Sequence, residues 1–200
     1  LDATVIAAHV VHTDSTDTRV LARKGVGVVH NPTSNMKLAS GIAPVAQYLK
    51  KGVTVGLGTD GPASNNDLNM WEEIRLASFL QKVATSDATA LPALTSIAMA
   101  TREGAHAIGL GESIGQLRAG YRADLIQVSI ESIDQVPVYE PYVHLAYVTD
   151  EKDVTTVVVD GRIVVENGEP TNIDVDSLRR AVSAYKVRIS TWLEQRDKAR

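Results

Sequence analysis

Apolar residues fall in short unbroken runs along the first third of the chain and in spaced stripes after it. Thr4-Val-Ile-Ala-Ala8, Val26-Gly-Val-Val29 and Val53-Thr-Val-Gly-Leu57 are three such runs, rich in strand formers. Between them lie segments with helical spacing. Asp17 to Arg23 carries Val20, Leu21 and Ala22 and stops at Gly25; Ile42 to Lys51 is closed by Gly52. Glycine just past the last helical residue is a common terminator because it takes the left-handed conformation freely. Strands apolar throughout and separated by helices predict a parallel sheet covered by helices. Two longer helices are expected next. The first is capped by Asn66 or Asp67 and buries Met70, Ile74 and Ala77; the second starts near Pro92 and sets Leu94, Ile97, Ala98, Thr101 and Ala105 on one face.

After Gly109 the pattern changes. Gly115 to Asp124 is rich in glycine and charge and leads into a strand, Leu125 to Ile130. Val154 to Val159 and Arg162 to Val165 flank Asp160-Gly161, a two-residue turn signal, and read as a hairpin. Asp174 to Arg196 is an amphipathic helix with Leu178, Val182, Tyr185, Ile189 and Trp192 on one stripe. The expected organisation is therefore a parallel α/β part over residues 1–110, a small β-rich part over 111–170 and a terminal helix over 171–200.

Composition narrows the chemistry. Charged residues make up 22% of the chain, the net charge is −4 and no basic stripe suggests a nucleic-acid or anionic-membrane partner. There is no cysteine, so thiolate metal sites, disulfides and a cysteine nucleophile are excluded, and any metal must be held by His, Asp or Glu. No apolar run reaches the length of a membrane span and no leader-like segment opens the sequence, which makes a cytoplasmic location the expectation. Leu1 runs almost directly into an apolar strand, as in a chain that starts in the middle of something.

Ligand groups in parallel α/β folds gather where strands end. The first run ends in His9, with His12 three residues on; the second in His30-Asn-Pro-Thr-Ser-Asn35; the third in Gly58-Thr-Asp-Gly61, followed by Ser64-Asn-Asn66. Singly, each has a plain alternative: His9 a hydrogen-bonded structural residue, Asp60 a turn residue before Gly61, His30-Asn-Pro a loop. His106 and His144 read as structural, and His12 as standing behind the site. Jointly, three strands that put imidazole, amide and carboxylate groups at one end suit a metal bound by nitrogen and oxygen.

His30-Asn-Pro-Thr-Ser-Asn-Met-Lys-Leu-Ala-Ser-Gly41 and Gly56-Leu-Gly-Thr-Asp-Gly-Pro-Ala-Ser-Asn-Asn66 closely resemble segments of the amidohydrolase superfamily. Within it they are similar to the branch of S-adenosylhomocysteine/5′-methylthioadenosine deaminases and chlorohydrolase-type triazine hydrolases. Ala8-His-Val-Val-His12, Ile114 to Ile126 and Val157 to Arg162 resemble further segments of that branch. The resemblance implies the C-terminal portion of a metal-dependent (β/α)8 barrel, its last three βα units, followed by part of a small β-sandwich. It implies Asp60 as metal ligand and proton acceptor, and His9 as the group that meets the attacking water or tetrahedral centre. It also implies a substrate-facing set of His9, Asn31, Ser34, Asn35 and Asp60, with residues 31–35 as a loop that shapes the site. The implied metal is zinc first, with iron or manganese as alternatives.

The family's His-x-His, its further metal histidine and its proton-shuttling glutamate have no match here, and Glu72 and Glu73 read as lying on a helix past the site. Zinc needs about four ligands to bring water's pKa near neutrality. The implied partners are thus a small-molecule substrate and the N-terminal half of the enzyme, with a homo-oligomer left open. The expected activity is hydrolytic deamination of an adenine-type nucleoside. The alternatives are a triazine or other aminated or chlorinated heterocycle as substrate, or an inactive structural module.

Overall fold

The computed structural model describes residues 4–198. Strand β1 (Ile6–Ala8) leads to α1 (Ser15–Arg23), then β2 (Gly27–His30), α2 (Pro32–Lys37), α3 (Val45–Lys50) and β3 (Val55–Leu57). The strands form a parallel sheet in the order β1-β2-β3, with Ala8 beside Val29 and His30 beside Leu57. Helices α4 (Met70–Thr85), α5 (Ala93–Ala100) and α6 (Arg102–Ala107) follow. Then come β4 (Leu125–Val128), α7 (Pro141–Tyr147), β5 (Val154–Val159), β6 (Arg162–Glu166), β7 (Glu169–Pro170) and α8 (Val175–Lys198). Strands β4 to β7 make an antiparallel sheet in chain order. The fold is α/β, as the pattern of runs predicts.

Side chains alternate across the parallel sheet, and its two faces are covered differently. Val28 and Val55 are register partners and point to one side, where they are fully buried with Tyr48, Ala77 and Met99. On the other face the backbone of α6 lies directly against glycines. A Cβ on Gly27 would fall 1.8 Å from the Ala107 carbonyl oxygen, and one on Gly56 2.8 Å from Gly104 Cα. Glycine is required at both positions because a helix backbone occupies the space a side chain would fill. Helices therefore cover both faces at β2 and β3, while Ile6 and Ala8 of β1 remain exposed, and the polar groups emerge at the C-terminal strand ends.

Several local expectations are corrected. Helix α4 is capped by Asn69, whose side chain accepts from Trp71 N and Glu72 N, not by Asn66 or Asp67, which lie in the preceding turns. The single helix expected from Pro92 to Ala105 is two, broken at Thr101 (φ −126°, ψ −100°), which lets α6 turn onto Gly27 and Gly56. Residues 32–35 are not a loop but the first turns of α2, and Asn31 is its N-cap. His144, expected in a β-rich stretch, is on α7, a helix that packs against α5 and α4. The hairpin turn is as expected: Asp160 and Gly161 take φ of 49° and 77°, the left-handed pair a two-residue turn needs. Helix α8 forms over the predicted span but buries none of its residues.

Candidate active site

The ends of β1 and β3 are held together across β2 by one side chain. Asn31 Oδ1 accepts from His9 N (3.3 Å), and Asn31 Nδ2 donates to the Gly58 carbonyl (2.8 Å). Gly58 is the residue this clamp demands, since a Cβ there would sit 2.9 Å from Val29 Cγ1 and 3.0 Å from Asn31 Nδ2. His9 N also donates to the Val29 carbonyl at 2.9 Å. These bonds hold His9 (φ 67°) and Val10 (φ 45°) in the left-handed region, where a β-branched residue is strongly disfavoured. Asp60 (φ 62°) shares that conformation at the end of β3. Strain of this kind survives only where neighbours over-determine the backbone.

The first turns of α2 supply the side-chain contacts. Asn35 Oδ1 lies 2.9 Å from His9 Nδ1. An amide oxygen only accepts, so Nδ1 carries the hydrogen of this bond and Nε2 is the ring nitrogen left facing the site. Nε2 stands 3.9 Å from Asp60 Oδ2. Ser34 Oγ and Ser64 Oγ both donate to that same oxygen, at 2.7 and 2.6 Å. The Ser64 hydroxyl first, then that of Ser34, with help from the Gly61 backbone and His9, hold the Asp60 carboxyl below its ordinary range. Asp60 is thus an ionised carboxylate facing a half-exposed imidazole. His9, Asn31, Ser34, Asn35 and Asp60 form one cluster.

Glu73 belongs to the support of this cluster and was missed. It is fully buried; Oε2 accepts from Thr33 N (3.1 Å) and Oε1 from Asn65 Nδ2 (2.6 Å). With the Asn31 side chain taken by the clamp, Glu73 satisfies an otherwise open N–H at the start of α2. It also fixes Asn65, next to Ser64. Burial raises the Glu73 carboxyl, opposed by its bonds to Thr33 and Asn65. The readable signal was a charged residue three positions from Met70 and four from Ala77, inside the buried stripe.

The remaining histidines separate cleanly. His30 is fully buried at the end of β2, and neither ring nitrogen has a hydrogen-bond partner among the described residues. Burial first and the neighbouring His9 second lower it to about 4, so it is neutral. His144 is buried and bonded to Gln135 Oε1 at 2.5 Å. His12 is exposed beside Gly41, and His106 is exposed on α6. An apolar cleft of about 740 Å³ between α4–α6 and β4, lined by Trp71, Ile97, Ile108 and Leu125 among others, includes neither His9 nor Asp60.

No group of three or more His, Cys, Asp or Glu able to hold a metal occurs among the described residues. One carboxylate and one imidazole fit a share of an N/O metal site, short of the four ligands zinc ordinarily takes. No helix of the described residues is long and apolar enough to cross a membrane.

Comparison with known proteins points one way. The model of the amidohydrolase family matches residues 1–164. A 5-methylthioadenosine/S-adenosylhomocysteine deaminase of Desulforudis audaxviator is 50% identical over 176 residues, which are 88% of this chain and 41% of that protein. Among solved structures, a zinc-bound adenosine deaminase from Xanthomonas campestris superposes with a TM-score of 0.91 at 37% identity, over 93% of this chain and 42% of the other. A zinc complex of atrazine chlorohydrolase from Arthrobacter aurescens gives 0.84 at 31% identity, over 90% and 40%. The chain spans about two fifths of the length of the curated relatives it matches.

Proposed function

The chain belongs to the amidohydrolase family, and from that premise we propose that it carries part of an active site for hydrolytic deamination of S-adenosylhomocysteine or 5′-methylthioadenosine. The observation that carries the reading is the ionised Asp60 at one strand end facing His9 Nε2 at another, 3.9 Å away, with both held by Asn31, Ser34 and Asn35. The three parallel strands are the last three of a (β/α)8 barrel. In support, β1 and β3 each pair on one side only among the described residues, leaving two edges for further strands. Residues 111–170 are the C-terminal segment of the accompanying β-sandwich.

Asp60 is the ligand this chain offers to a divalent metal, zinc in the first place. Bound there, the metal supplies Lewis acidity, polarising the reacting group and lowering the pKa of water. Asp60, kept ionised by two hydroxyls, accepts the proton of the attacking water. His9, its Nδ1 fixed by Asn35, presents Nε2 toward the carbon under attack. As water adds and the carbon–nitrogen bond breaks, the proton taken by Asp60 passes to the departing amino group, which leaves as ammonia, and the ring keeps the oxygen. Asn31, Ser34 and Asn35 hold these two groups and face the small-molecule substrate. The protein is cytoplasmic on this reading.

A triazine substrate is the second reading, favoured by the superposition on atrazine chlorohydrolase. The test is to assay the longer protein that carries this chain, metal-loaded, for ammonia or chloride release from both nucleosides and from amino- and chlorotriazines. Fastest turnover of a nucleoside is expected. A triazine processed fastest reverses the ranking, and no turnover of any of them points to an inactive module.

A further inference from the structure

Helix α8 runs from Val175 to Lys198, and every residue from Asp176 to Lys198 is exposed. Its large apolar side chains, Val187 and Leu193 apart, form one stripe. Val175, Leu178, Val182, Tyr185, Ile189 and Trp192 follow one another at spacings of three and four in strict alternation. That is a period of 3.5 residues, with valine, valine and isoleucine at the first core position of each heptad and leucine, tyrosine and tryptophan at the second. A helix facing a globular core usually shows a wider stripe, about three positions in seven; a two-in-seven stripe is the seam of a coiled coil. The side chains remain open to solvent, with Tyr185 and Trp192 each 58% exposed. Arg188 and Arg196 lie over their rings at 5.3 and 5.4 Å.

We propose that α8 pairs with α8 of a second copy of this chain as a parallel, in-register two-stranded coiled coil. The first core positions of the seam are all β-branched, Val175, Val182 and Ile189, which favours two parallel strands, and the second is leucine in the first heptad, Leu178. The flanking charges agree with that direction. In a parallel pair, Asp174 faces Arg179 of the second copy, Ala181 faces Lys186 and Arg188 faces Leu193, giving one attractive and no like-charge flanking pair; the seam ends before Arg196, which takes the next first core position and would meet its own copy. An antiparallel pair would set the Arg179 and Lys186 side of one helix against the same side of the other, cation against cation. Asp174 also starts the helix, its Oδ1 accepting from Ser177 N at 2.9 Å. Arg179, now bridged to Asp176 at 3.3 Å, is exposed and able to change partner. From Val175 to Trp192 the seam runs for about 26 Å at the rise of an α-helix.

The test uses the longer protein that carries this chain; the chain itself contains no cysteine, and any cysteine outside it is replaced by serine so that introduced thiols report without background. Sedimentation equilibrium at micromolar concentration should give a dimer. The double variant Val182→Asp/Ile189→Asp should associate on the order of a hundredfold more weakly or worse, since both charges enter the seam. Under oxidation, Val182→Cys should yield a covalent dimer, because equivalent core positions meet in a parallel pair. Ser183→Cys, one position off the seam, should not. A monomeric wild-type chain overturns the proposal, as does a dimer that the two aspartates leave intact. Failure of Val182→Cys to link, with the aspartates still dissociating the dimer, overturns the parallel arrangement.

Discussion

Helix α4 packs its stripe into the body of the molecule, and α8, longer and as regular, leaves its stripe in solvent. The difference lies in what the stripes contain. The buried face of α4 includes Glu73, Ser78 and Gln81 beside Ile74 and Ala77. Each of those polar groups has specific partners: Thr33 N and Asn65 for Glu73, the Leu91 carbonyl and the Tyr147 hydroxyl for Ser78, and Ala46 N with the Ala43 carbonyl for Gln81. The face of α8 is apolar. An apolar face says only that a partner is wanted; polar groups set within one say which partner, because a wrong neighbour leaves them buried and unpaired. Thus α4 is bound to one position, behind the strand ends that carry His9 and Asp60.

The largest expected effect separates these regions by function. In the complete protein, Asp60→Ala should lower kcat by on the order of 10³-fold or more, since it removes both a metal ligand and a proton acceptor. His9→Ala should cost about 10²- to 10⁴-fold. Both side chains are partly exposed, so urea midpoints should hardly move. Arg180→Ala on α8 should leave turnover per site unchanged. Ammonia release against substrate concentration checks all three, and an Asp60→Ala enzyme within about tenfold of wild type removes the proposed role.

A second contrast is in acid. His30, buried behind the strand ends, titrates at about 4 in the folded chain, against an ordinary histidine value of about 6.5 when unfolded. With the folded pKa depressed, the unfolded chain takes up the proton first. Stability is full above about 6.5 and falls as pH drops toward 4, by about 3 kcal/mol in all for this one group. Helix α8 has no histidine and contributes nothing of this kind in that window. Urea midpoints at pH 7 and 4.5 check it: His30→Gln should lose most of the acid sensitivity, and an unchanged slope would show that His30 is not the source.

The same contrast explains what could be read from the sequence. The three parallel strands were legible because each is a short apolar run, and the strand-end residues were legible because a polar cluster follows each run. Helix α2 was not. Pro32-Thr-Ser-Asn35 reads as turn chemistry, and the group that satisfies Thr33 N is Glu73, 40 residues away. The break at Thr101 was hidden for a like reason: the apolar spacing runs through it, and the close approach of α6 to Gly27 and Gly56 turns the chain there. Helix α7 did carry local signals, Glu140 accepting from Val143 N and Pro141 in the first turn, but they sat in a stretch dominated by strand formers. Of the site, the clamp through Asn31 and the Ser34 hydroxyl on Asp60 involve residues already singled out; Ser64 and Glu73 acquire their parts only when the chain is folded.

Glu73 tests that long-range dependence. Glu73→Ala leaves Thr33 N and the Asn65 side chain without their acceptor in a buried setting, and should cost about 2–3 kcal/mol of stability. It should also lower turnover, because Ser34 and Ser64 both follow from the elements it joins. Glu73→Gln keeps one acceptor and loses the charge, and should fall between. Denaturant unfolding with parallel assays checks this. Activity lost with stability intact would mean that Glu73 acts on the chemistry itself instead of through α2 and Asn65.

The smallest effects come from a matched pair, Ala77→Leu on α4 and Ala181→Leu on α8. The substitution and the helical setting are the same, so propensity changes alike at both sites and cancels in the comparison. Ala77 is fully buried in the cluster with Val28, Val55 and Tyr48. Leucine there must displace packed neighbours, a change that typically costs about 1–3 kcal/mol. Ala181 is exposed and lies beside the α8 seam, not in it. Leucine there should move the unfolding of the body by less than about 0.5 kcal/mol, as surface changes usually do. The measurement is the urea midpoint of each variant at a dilution where the chain is monomeric, so that pairing of α8 does not enter. Equal destabilisation by the two would mean that α8 is packed on the body after all, and the contrast between the helices would fall with it.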